Sequence, residues 1–312
     1  FVDSPNFDMM AHGYKPVGGL FPETSIGWYR KQFSVAKSDS GQRFQLQFDG
    51  IFRDASFWLN GFYLGNNKSG YVGVAYDVTD YIQYGQPNTL VVRVDATQYE
   101  GWFYEGAGIY RHVWLNQYHP VHIAHDGVFA YSVVKAGSAA VTVETEVKND
   151  RGAASDVTVS SFVADRSGRK LVSSPEKPVR LSVNGKITVK HVLNVKSPVL
   201  WNLDNPYLYR VVSIVKQGGK IVDSVVQRFG IRTIEVKPNG VFLNGEHVKI
   251  KGTNNHQDHA GLGAALPDYM QYYRVKLLKA WGSNAYRSSH NAPAPEILDA
   301  CDSLGMLVMD EH

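Results

Sequence analysis

One cysteine, Cys301, is the only thiol in this 312-residue chain, so no intramolecular disulfide braces it. No apolar run approaches the ~18 residues of a membrane-spanning helix, which gives no membrane partner. Charge of either sign is not in excess: 32 basic residues stand against 29 acidic ones, net +3, and no Lys/Arg block occurs. That excludes the electrostatic footprint of a nucleic-acid binder. There is no G-x-G-x-x-G, no P-loop and no G-x-S-x-G, so dinucleotide, nucleotide-phosphate and nucleophile-elbow chemistry have no signal. An initiator Met is missing before "FVDSPNFD". This is read as removal of an N-terminal segment, which favours a periplasmic or secreted location over a cytoplasmic one.

What is present fits a water-soluble globular chain of two or three domains, with 44% apolar and 20% charged residues. Aromatics are abundant, with 18 Tyr, 14 Phe and 6 Trp. Such rings serve β-rich cores and also stack on sugars.

Three textures follow one another. Up to about residue 119, short β-branched or aromatic runs such as "RFQLQFDG" and "NTLVVRVDA" are bounded by turn residues and predict an antiparallel β-sandwich. Within it "WLNGFYLG" sets Asn60-Gly61 between two apolar runs, a strong hairpin signal. From 120 to 236 the aromatics thin out and alternating segments take over. Val141, Val143, Thr145 and Val147 form one such series; Ile187, Val189 and His191 form another. About seven strands in this span predict an immunoglobulin-like sandwich without its disulfide. From 237 to 312 the grammar becomes strand-loop-helix-strand-loop-helix-strand, that of a parallel α/β sheet or barrel. Its first strand is placed at "HVKIKG". The helix over "DYMQYYRVKLLKAWG" is read from Tyr269, Tyr273, Leu277 and Ala280 at helical spacing, with Gly282 as its C-cap. Cys301, in "EILDACDSLGM" beside Leu298 and Leu304, is expected to be a buried core thiol.

In a barrel the working residues lie beyond the C-terminal ends of the strands. Here the three ends carry Asn255, His256, Asp258 and His259; then Arg287, His290 and Asn291; then Asp310, Glu311 and His312. Ionisable residues at three successive ends point to a polar site. His256-x-x-His259 lacks the spacing of a recognised zinc motif.

Several segments, in order along nearly the whole chain, resemble glycoside hydrolase family 2. These are "TSIGWYRK", "FDGIFRDASFWLNGFYLG", "YEGAGIYRHVWL", "QRFGIRTIEV", "GTNNHQDHAG" and "LLKAWGSNAYRSSHNAPAPEILDACDSLGMLVMDE". The resemblance implies a jelly-roll sugar-binding domain over 1–119, an immunoglobulin-like β-sandwich over 120–236 and the first strands of a (β/α)₈ TIM barrel over 237–312. Within the family the segments are most similar to β-galactosidases; β-glucuronidase, β-mannosidase and a non-catalytic carbohydrate-binding protein are the alternatives. The resemblance further implies retaining hydrolysis by two glutamates, both expected beyond residue 312, so the chain alone is expected to be hydrolytically silent. By resemblance His256 and His290 grip sugar hydroxyls and Arg287 supports the cleft floor, with Asn291 a further substrate-binding candidate. Glu100 and Trp102, with Glu105 and Tyr104 in the same loop, are candidate sugar contacts from the first domain. Glu311 falls where some family members place a magnesium ligand. No cofactor is required, Mg²⁺ or Na⁺ being the candidate ions. The partner is a β-galactoside or related oligosaccharide, with homo-oligomerisation open.

Overall fold

The computed structural model describes residues 26–97, 108–259 and 262–311. The first region is a β-sandwich. Its strands are β1 (Ile26–Ser34), β2 (Arg43–Phe48), β3 (Ile51–Phe52), β4 (Ala55–Leu59) and β5 (Phe62–Asn67), followed by β6 (Val74–Asp77), β7 (Pro87–Asp95), β8 (Gly108–Ile109) and β9 (Val113–Tyr118). One sheet runs β1-β7-β4-β5 and the facing one β6-β2-β9, with β3 paired to β8. Alternation decides the core: Phe44, Leu46 and Phe48 of β2 point inward against Phe57, Leu59, Val92 and Val94. Asn60 and Gly61 join β4 to β5 with φ of 51° and 87°, the left-handed pair a two-residue hairpin of this hand requires. The Asn60 side chain holds the turn down, donating to Tyr81 O and accepting from Thr89 N, each at 2.8 Å.

The second sandwich comprises β10 (Val121–Lys135), β11 (Ser138–Asn149), β12 (Ser155–Ala164), β13 (Lys170–Ser173), β14 (Lys177–Leu181), β15 (Lys186–Lys196), β16 (Tyr209–Gln217) and β17 (Lys220–Phe229). Sheet β10-β11-β15 faces β13-β12-β16-β17, with β14 also paired to β12. Val141, Val143, Thr145 and Val147 all point inward, as their alternation requires. Ile187 does not follow Val189 and His191 into the core. It lies next to the strand's first residue and is 41% exposed. Where an immunoglobulin domain would carry a disulfide, a buried polar chain crosses between the sheets. Thr145 and Ser213 hydroxyls lie 2.8 Å apart, and Ser161 Oγ is 3.2 Å from both Ser213 Oγ and His191 Nδ1.

The third region opens with an antiparallel meander, β18 (Ile234–Lys237), β19 (Gly240–Leu243) and β20 (Glu246–Val248). The expectation of a barrel strand starting at His247 is corrected here. A second Asn-Gly turn, Asn244-Gly245 with φ of 53° and 85°, folds Glu246–Val248 back onto β19. The parallel sheet starts afterwards, with β21 (Gly252–Asn255), α1 (Asp268–Ala280), β22 (Ala285–Ser288), α2 (Pro295–Leu304) and β23 (Leu307–Met309). Its order is β21-β22-β23, all parallel.

Helix α1 presents a different face to the core than the aromatic spacing suggests. Gln271 and Val275 are buried, whereas Tyr269 is 69% exposed and stacks on Tyr273 on the outside. The sheet-facing row is set by what β22 and α2 offer, and these supply Tyr286, Ile297, Ala300 and Cys301 to a small core completed by Met306 just before β23. Trp281 caps α1 and Gly282 follows with φ 89°. Cys301 is buried as expected, and burial pushes its thiol up to about 12. Leu304 packs on this core, whereas Leu298 is 36% exposed. The second sandwich meets the third region through Trp201, which is 1% exposed and donates Nε1–H to Asp302 O of α2 at 2.8 Å.

Candidate active-site face

Because β21, β22 and β23 run parallel and in register, their C-terminal ends converge. Asn254 pairs with Arg287, and Arg287 with Met309, two residues before Glu311. Glu311 is the hub. Its Oε1 accepts from Arg287 Nε at 2.6 Å, and its Oε2 lies 2.8 Å from His290 Nδ1. Arg287 also donates through Nη1 to Asn254 Oδ1 at 3.1 Å. The Arg287 and His290 hydrogen bonds hold the Glu311 carboxyl below the usual carboxylate range, so it stays ionised at neutral pH. Ser288, 1% exposed, fixes where the hub sits: its hydroxyl donates to Asp310 Oδ1 at 3.1 Å and accepts from Glu311 N at 3.0 Å.

The two histidines expected at the site do meet. Their ring centroids are 5.6 Å apart and inclined at 76°. Arg274 of α1 donates to the His256 carbonyl and anchors that loop from behind. Asn291 joins through its backbone, whose carbonyl accepts from Gln257 Nε2 at 3.4 Å. Glu100, Trp102, Tyr104 and Glu105 lie outside the described residues.

The Glu311 carboxylate, where a metal is expected, is engaged by two side chains of this face. Both carboxylate oxygens face cationic or hydrogen-bonding partners, and the Arg287 guanidinium already supplies the positive charge. Among the described residues, three metal-type side chains gather elsewhere, at His112, Asp268 and Glu296. There His112 Nε2 is 2.7 Å from Asp268 Oδ1 and 3.6 Å from Glu296 Oε1. The hydrogen bond to Asp268 raises the imidazole above its ordinary value.

Sequence reasoning missed three residues that build the face: Asn254, Gln257 and Arg111. Arg111 reaches in from the first sandwich and donates to Gln257 Oε1 and, at 2.7 Å, to Ala292 O. The available signal was one arginine standing in the aromatic run "GIYRHVWL" just before β9.

Family models for glycosyl hydrolases family 2 match in sequence: the sugar binding domain over residues 20–119, the family 2 model over 121–232 and the TIM barrel domain over 234–312. The chain belongs to glycosyl hydrolase family 2. It is 38% identical over 297 residues to a beta-galactosidase of Bacteroides ovatus, an alignment covering 94% of this chain and 35% of that protein. It is 31% identical to a beta-glucuronidase of Formosa agariphila, covering 99% of this chain and 34% of that one. A solved family 2 member from Bacteroides cellulosilyticus superposes with TM-score 0.89 at 38% identity, over 92% of this chain and 40% of that structure. The family 2 chain thus spans about a third of the length of the curated relatives it matches.

Proposed function

We propose that this chain supplies the sugar-gripping face of a family 2 β-glycosidase that hydrolyses terminal β-galactosides with retention. The observation that carries the reading is the Arg287–Glu311–His290 constellation at the ends of three parallel strands, with the His256 ring beside it. Glu311 accepting at His290 Nδ1 orients the ring, so that a sugar hydroxyl meets it at Nε2. Arg287, held on both Glu311 and Asn254, forms a rigid cationic floor rather than a mobile clamp. His256 approaches the same sugar from the neighbouring loop, and Asn291 extends the polar rim. Contacts of this kind strengthen as the ring flattens toward an oxocarbenium-like transition state. The residues of this chain therefore bind and orient; the acid/base and nucleophile roles are assigned to none of them. A Mg²⁺ or Na⁺ ion on Glu311 would share the carboxylate with Arg287 and His290.

The 38% identity to a beta-galactosidase favours galactosides, and the beta-glucuronidase relatives make glucuronides the second reading. The test is hydrolysis by the full-length protein of 4-nitrophenyl β-galactoside and of its β-glucuronide counterpart. Galactoside turnover is expected to be the faster, and His290→Ala is expected to lower kcat about a hundredfold with little change in Tm. Faster glucuronide turnover would overturn the galactoside assignment. Failure to cleave any aryl β-glycoside would overturn the whole reading.

A further inference from the structure

Arg111 sits between β8 and β9 in the first sandwich, yet half of its side-chain hydrogen bonds lie in the third region. Nη1 donates to Asp49 O and Tyr71 O, each at 3.3 Å, so one side of the guanidinium is rooted in the sandwich backbone. The ring of Tyr110 stacks 5.1 Å from its carbon. Nη2 donates to Ala292 O at 2.7 Å and to Gln257 Oε1. Gln257 is 7% exposed and donates in turn to Ala292 O at 3.0 Å and Asn291 O at 3.4 Å. The result is one clamp over two loops. Gln257 directly follows His256, and Ala292 lies two residues after His290.

We infer that Arg111 is a positioning residue for the sugar site, setting the separation between the His256 and His290 loops from a different domain. This rests on the proposed role of those histidines. A guanidinium suits the task because it is planar, charged at every working pH and presents its donors in a fixed fork. Its targets in the loops are a backbone carbonyl and a buried amide, so what it controls is where the loops stand, not the chemistry they carry. The 5.6 Å spacing of the two rings is the quantity the clamp would hold. A misplacement of about 1 Å in such a constellation costs on the order of a hundredfold in rate.

A residue acting through His290 has a signature that general interdomain adhesion lacks. Once His290 is gone, losing Arg111 should add little. The experiment is a double-mutant cycle in the full-length protein, assayed with 4-nitrophenyl β-galactoside or the β-glucuronide if that is the better substrate. Its members are wild type, Arg111→Gln, His290→Ala and the double variant, with kcat expressed per active site after titration with a covalent inactivator. Arg111→Gln is expected to lower kcat per site at least tenfold with a smaller effect on KM, and the double variant to be no more than about threefold slower than His290→Ala. If Arg111→Gln does not fold, Arg111→Lys carries the same cycle, because the ammonium keeps the charge but cannot bridge sandwich and loops as a fork. Multiplicative losses, or full kcat per site with only a lowered Tm, would overturn the inference. A wild type that cleaves neither substrate instead removes the proposed function on which it rests.

Discussion

Trp201→Phe offers a direct measure of how firmly the second sandwich grips the barrel strands. The indole is 1% exposed, lies under the Arg232 guanidinium at 4.7 Å, and donates to the carbonyl of Asp302 in the last turn of α2. Phenylalanine keeps a ring in the site but removes the donor and about 40 Å² of apolar surface, worth roughly 1 kcal/mol at ~25 cal/mol per Å². The Asp302 carbonyl sits at a helix C-terminus and loses its partner, adding about 1–2 kcal/mol. The sum of roughly 2–3 kcal/mol falls on one joint and leaves both sandwich cores unchanged. Amide exchange read by mass spectrometry should therefore show α2 losing protection by about 30- to 150-fold, while β11 and β16 stay near wild type. Uniform loss across all three regions would refute the argument, as would unchanged protection in α2. The first would mean that Trp201 supports the whole chain rather than one joint, the second that it serves the sandwich alone.

Two histidines should respond to pH with opposite sign. His191 is 7% exposed and its Nε2 is buried without a hydrogen bond; burial lowers its pKa, so its contribution is complete above the ordinary value of about 6.5 and lost as pH falls below it. His112, raised by Asp268, contributes fully below about 6.5, and that contribution disappears as pH rises through its raised value. Imidazole resonances followed by NMR should separate to either side of the ordinary value, and a crossed order would refute both assignments. Cys301, pushed up to about 12 by burial, should leave a thiol reagent unreacted at pH 8 in the native chain and titrate fully in denaturant. The three- and four-residue strands β21–β23 should exchange amides faster than the nine- to fifteen-residue strands β7 and β10; equal protection would contradict this.

Much of this architecture was legible because its causes are local. Asn60-Gly61 reads as a hairpin from two residues, since few other pairs tolerate two successive left-handed conformations. Val141 to Val147 declare an inward face by their period of two. The placement of Arg287, His290 and Glu311 at one end of a sheet also followed from the order of strands and helices, because parallel strands must send their C-terminal ends the same way.

Tertiary structure decided the rest, wherever partners lie far apart in sequence. Nothing in "GIYRHVWL" names Gln257, 146 positions away, as the acceptor for Arg111. Thr145, Ser161, His191 and Ser213 become one polar chain only when two sheets close on them. The tyrosine row of α1 carries a helical period, but period does not choose which face is buried; β22 and α2 did, leaving Tyr269 in solvent. Glu311 is named by the sequence as a carboxylate at a strand end, but only folding brings Arg287 of the neighbouring strand and His290 of the loop after it onto its two oxygens. Backbone preference acts over two to four residues and is written in the chain, whereas charge pairing and burial depend on what folding brings within about 4 Å.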